Sequence, residues 1–153
     1  MRTTFKVLAY ALAAEVLIQA MAVAYGIAGL GKWVEDDHGI VNKKLLDANS
    51  PHFTGAGGFA IHGINGMLLI PVLTLLLLIV SFFSKIEGAS KRAGILVGLV
   101  VLQVVLGIAL HGVPYIALLH VLNAFVILGF AAQTGYRIGR DAAPAVPAVA
   151  ATA

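Results

Sequence analysis

The sequence contains no cysteine in 153 residues, so the chain can hold no disulfide, no iron–sulfur cluster, no thiolate-bound metal and no thioether-linked haem. Any metal chemistry must fall to histidine. Charge is also scarce: 11% of residues are Asp, Glu, Lys or Arg, against 60% hydrophobic, with a mean hydropathy of +0.97. No ordinary soluble domain of this length carries that balance. The chain reads as an integral membrane protein whose first partner is the lipid bilayer. Its formal charge of +3 does not mark a nucleic-acid binder, because the basic residues sit in small groups between apolar blocks and leave no face to track phosphates.

Four apolar segments reach the ~20 residues that a spanning helix needs: Phe5 to Leu30, Gly57 to Phe83, Ala93 to Val113 and Tyr115 to Tyr136. Lipid offers backbone groups no partners, so each is expected to be a helix. The first starts like a signal peptide, but its apolar run far exceeds the ~7–15 residues of such a region, and it reads as a retained helix. Arg2, Lys6, Lys85, Lys91, Arg92, Arg137 and Arg140 fall on one side of this arrangement, and only Lys32, Lys43 and Lys44 on the other. That bias places both termini in the cytoplasm, the membrane being read as a bacterial cell membrane.

The outer connection, Gly31 to Ala56, carries Glu35, Asp36 and Asp37, and a short amphipathic helix is expected around Ile40 to Ala48, ended by Asn49, Ser50 and Pro51. The turns Ser84 to Arg92 and Gly112 to Pro114 are short and force neighbouring helices to run antiparallel. Pro71 removes a backbone hydrogen bond to the Met67 carbonyl and is expected to kink the second span. Residues 1–140 therefore form one all-α membrane domain, an antiparallel bundle of four transmembrane helices. Residues 141–153, almost all alanine, proline and valine, read as a disordered tail.

Within the apolar spans the polar residues fall in a repeated pattern. Ala-Ile-His-Gly-Ile-Asn-Gly-Met-Leu at residues 60–68 is echoed by Leu-Leu-His-Val-Leu-Asn-Ala-Phe-Val at 118–126, so His62 and Asn65 correspond to His120 and Asn123, each pair on one helical face. Gln19 and Gln103 lie at matching depth on the helices that precede them. The bundle is thus expected to be built as two hairpin repeats about an axis along the membrane normal, with a shared site on that axis.

His62 and His120 each lie about five residues inside the outer boundary of a returning helix, a depth of ~7–8 Å. Two neutral imidazoles facing each other across a bundle can take both axial positions of a haem iron. Gly63, Gly66, Ala117 and Ala124 keep the helix surfaces low beside them, as does Gly107 on the third helix, and Asn65, Asn123 or backbone carbonyls can bind the second ring nitrogens. His111, at the outer turn, is the reserve ligand. His38 and His52 read as solvated loop residues, with Asp36 and Asp37 offering at most a weak metal site. The alternative to a cofactor is that His62 and His120 simply hydrogen-bond between helices. Glu15, the only carboxylate within a span, is either a proton or quinone handle, with Gln19 one turn away able to bond to it, or holds the first helix against the third through Gln103.

The histidines on the second and fourth spans, with Gln103, Leu106 and Gly107 on the third, resemble one four-helix half of the haem A synthase family, over roughly Phe59 to Ala132. The resemblance implies that His62 and His120 ligate the haem. It also marks departures: the family's glutamate three residues before the second-helix histidine is Phe59 here, the arginine after that histidine is Gly63, and the outer-loop cysteine pair and the other half are missing. A relative that keeps the haem and loses the synthase reaction fits these differences.

The reading is a small membrane b-type cytochrome with one bis-histidine haem b near the outer face. It passes single electrons, with a quinol or an outer-face redox protein as partner. An enzyme or carrier of haem metabolism, in which one histidine is replaceable, and a cofactor-free structural membrane subunit are the alternatives. Whether the chain is an enzyme stays open between them.

Overall fold

The computed structural model describes residues 1–46 and 52–140. Every regular element among them is helical: α1 (Arg2–Asp36), α2 (Lys43–Leu46), α3 (Ala56–Ile64), a π-helical turn (Asn65–Leu69), α4 (Ile70–Phe83), α5 (Ala89–Ala109) and α6 (Ile116–Arg140). Four helices are long and apolar enough to cross a membrane, with α3, the π-turn and α4 forming one of them, Ala56–Phe83. The expected tail at 141–153 and the expected end of the short loop helix at 47–51 lie outside the described residues; where that helix is described it starts at Lys43, as α2, and not at Ile40, since residues 40–42 are not helical.

Two helices outrun the apolar runs that announced them. Continuous backbone bonding carries α1 to Asp36, so Glu35 and Asp36 sit on its last turn, where Lys32 pairs with Asp36 one turn on. The helix stops where Asp37 and Gly39 both turn their N–H groups back to the Trp33 carbonyl and His38 takes a positive φ of 53°. α5 starts early, at Ala89, because Gly88 adopts the left-handed conformation (φ 72°) that residues with a Cβ rarely take. Lys91 and Arg92 therefore lie on its first turns.

Packing runs round a ring: α1 against α3 and α4, α4 against α5, α5 against α6, and α6 back against α1. Large apolar side chains such as Leu17, Met21, Leu68, Leu75, Phe82, Val105, Leu122 and Phe125 point outward and are exposed. In water each would forgo about 1.5–3 kcal/mol of burial; in lipid they face a matching solvent, and the interior can be built from small residues that let backbones approach. α1 buries Ala9, Ala13, Ala22, Gly26 and Gly29. A Cβ on Gly29 would stand 1.7 Å from the Thr54 carbonyl oxygen, and one on Gly58 2.2 Å from that of Ala22. Here α1 and α3 meet backbone to backbone.

The apolar core fills one half of the bundle. Phe5, Leu12, Leu77, Leu96, Ile127 and Ala131 are among its almost fully buried members, and Ile70, Val100 and Ala13 lie at its upper edge. Beyond that edge, between residues 101 and 126 of α5, the turn and α6, Asn123 is the only buried residue. That second half contains both histidines of the repeated pattern.

Candidate functional site

His62 enters the bundle from the last turn of α3 and His120 from the first turns of α6. Their ring centroids are 6.2 Å apart with planes inclined at 61°. Each ring is tethered in the same way. Nδ1 of His62 lies 3.4 Å from the Gln19 carbonyl oxygen on α1, and Nδ1 of His120 lies 3.2 Å from that of Gln103 on α5. A carbonyl can only accept, so each bond requires the proton on Nδ1, and a neutral ring then keeps its lone pair on Nε2. Both imidazoles are oriented by a neighbouring helix with a metal-binding nitrogen left over, the arrangement that usually supports a histidine ligand.

The asparagines do not bind the histidine rings, which corrects one of the two expected sources of ring partners. Asn65 donates instead to Oε2 of Glu15 at 3.1 Å. Asn123 donates to the Leu99 carbonyl at 2.9 Å and to Oε1 of Gln103 at 2.8 Å. The backbone carbonyls win because they project from the facing helix at the depth of each ring, whereas the asparagines lie one turn deeper. Glu15 therefore ties α1 to the second span through Asn65, not to the third through Gln103, and it takes no bond from Gln19. Gln19 is only 8% exposed, and its side-chain Oε1 and Nε2 both lack a protein partner.

The three glycines of the expected site play different parts. A Cβ on Gly107 would lie 3.1 Å from Cε1 of His120, so that glycine is the floor on which the ring rests; one on Gly66 would lie 3.6 Å from Oε1 of Gln19, and one on Gly63 would meet nothing. His111 is exposed in the turn after α5 and bonds only to its own Ile108 carbonyl, at 3.2 Å. His38 and His52 are exposed, and no group of three or more His, Asp or Glu side chains gathers as a metal site among the described residues.

One part of the surroundings was not anticipated. Trp33 stacks on Phe53 with centroids 5.7 Å apart, Phe53 meets Phe59 edge-on at 6.4 Å, and Phe59 closes over Gly26, where a Cβ would touch its ring at 3.0 Å. This aromatic column leads from the α1–α3 connection to the turn that carries His62. Its signal in the sequence was an aromatic three residues before a histidine, which spacing alone does not distinguish from a lipid-facing side chain. No family model, no curated protein and no solved structure matches this chain.

Proposed function

We propose that this chain is a small membrane-embedded b-type cytochrome, with one haem b held between His62 and His120, that passes single electrons between a quinol and a redox partner at the outer face. Two imidazoles holding one metal ion from opposite sides, each nitrogen about 2 Å from it, have centres roughly 6 Å apart. The 6.2 Å separation of the His62 and His120 rings, with both Nδ1 atoms tied back and both Nε2 atoms left for a metal, is the observation that carries the reading. The sparse burial of residues 101–126 beside the pair supports it, since a flat macrocycle needs room that packed side chains would take. A haem held by the two histidines would supply a one-electron couple. The chain's own residues hold the rings, set their tautomer and shield the site with lipid-facing leucines and valines.

Two antiparallel hairpin repeats fit the same bonds. His62 bonds to Gln19 as His120 bonds to Gln103, while Asn65 and Asn123 each reach the residue one turn earlier on the same partner helix, Glu15 and Leu99. The proposed orientation, with both termini on the cytoplasmic side of a bacterial cell membrane, rests on the lysine and arginine bias. A second reading has its own support: the histidine-to-carbonyl bonds bridge helices without any cofactor, as a structural subunit would use them.

Absorption spectroscopy of the full chain, expressed with ample haem and purified in detergent, decides between the two. The cytochrome reading requires a low-spin spectrum in the wild type, lost from both His62→Ala and His120→Ala and kept in His111→Ala. Colourless wild-type protein would establish the structural reading.

A further inference from the structure

The two halves of the site are not equivalent, and the geometry points to His62 as an exchangeable ligand and His120 as the permanent one. Leaving, His62 would open a coordination position for a small neutral molecule that donates a lone pair. This inference rests on the haem reading and goes beyond it, because a strictly bis-histidine cytochrome offers no such position.

On the His120 side the ring Nδ1, the Gln103 amide oxygen and the Asn123 amide nitrogen all have partners. The ring bonds to the Gln103 carbonyl at 3.2 Å and rests against Gly107, the Gln103 amide oxygen receives Asn123 at 2.8 Å, and Asn123 also reaches Leu99. α6 runs unbroken through this region. The His62 side departs at each corresponding point. The tether is longer, at 3.4 Å. Asn65 is drawn away to Glu15, which leaves the buried Gln19 amide with no partner on either atom. Three residues after His62 the helix widens into the π-turn Asn65–Leu69, closed by the Ile70 N–H on the Asn65 carbonyl.

A π-turn holds one residue more than an α-turn and is frequently found at functional sites. Pro71, just beyond it, has no N–H to donate, so the backbone ladder is already one bond short where the His62 segment joins α4. Asn65 then has a second acceptor ready, since the Gln19 amide oxygen corresponds to the Gln103 oxygen that Asn123 already uses. With a haem bound, His62 Nε2 would be the donor given up, and the lone pair of the incoming molecule would take its place with no change in electron count. Gln19 Nε2 is the donor left on that side to steady the newcomer.

The test uses the full-length protein in detergent, with carbon monoxide as the probe. The dithionite-reduced wild type is expected to take up carbon monoxide. His62→Ala is expected to keep most of its haem in high-spin form and bind carbon monoxide at least about tenfold faster, whereas His120→Ala loses about nine-tenths of its haem. A coloured wild type that takes up no carbon monoxide, or a pair of variants that lose haem alike, overturns the exchange and leaves the cytochrome reading intact. Colourless wild-type protein overturns both.

Discussion

Gly107 lies where one methyl group reaches the proposed ligand. A Cβ there would stand 3.1 Å from Cε1 and 3.5 Å from Nδ1 of His120, closer than side chains comfortably approach, so the ring must tilt off the Gln103 carbonyl. Gly107→Ala is expected to lower haem affinity about tenfold, the low end for loss of an orienting partner, measured by titrating haem into the haem-free protein. The two glutamines should respond with opposite signs. Gln19→Leu replaces an unpartnered buried amide by an apolar side chain of similar size and is expected to stabilise the fold by about 1 kcal/mol, while Gln103→Leu strips Asn123 of an acceptor and costs about 1 kcal/mol. Unfolding in mixed detergent and sodium dodecyl sulfate micelles reads both. At this scale His62 and His120 were legible in the sequence because imidazoles are rare in apolar spans and their depths matched. Their tethers were not, because the carbonyls of Gln19 and Gln103 are common to every residue and only the packing of the facing helix singles them out.

Among the elements, the α1–α3 contact is set by backbone approach. Gly58→Ala would drive a Cβ to 2.2 Å from the Ala22 carbonyl oxygen, whereas at Gly57, one residue earlier, a Cβ meets nothing. The first substitution is expected to cost about 1–3 kcal/mol, in the range of overpacking, and the second to change little beyond a small gain in helix propensity. Thermal unfolding of the two variants in one detergent compares them directly. Helix existence was readable from the apolar runs, but helix ends were not. α1 continues through Lys32, Glu35 and Asp36 because i to i+4 charge pairing and backbone bonds continue the helix after hydropathy falls away. Pro71 signalled a disturbance of the second span without its form: a missing N–H is compatible with a kink, and here the adjustment is the π-turn that precedes it.

For the whole molecule, the four apolar helices were legible from length and composition, since lipid leaves few other structures available. The ring of neighbours was not written in any one segment; it follows from which small residues face which helix. The proposed orientation has a direct check because the chain lacks cysteine. A single Val113→Cys is expected to react with a membrane-impermeant maleimide in intact cells, and a single Glu87→Cys only after the membrane is opened. Both positions are exposed, so a reversed labelling pattern would mean that the termini face outward.

The extra residue held between Asn65 and Leu69 also shifts the phase of everything after it. Each residue turns an α-helix by about 100°, so the stripe that faces the bundle in α4, through Ile70, Thr74, Leu77 and Ser81, is out of step with a straight continuation of α3. Deep mutational scanning across residues 56–83 should therefore show two tolerance waves of the same period that slip by one position near Met67, and deleting Met67 should merge them into a single unbroken rhythm.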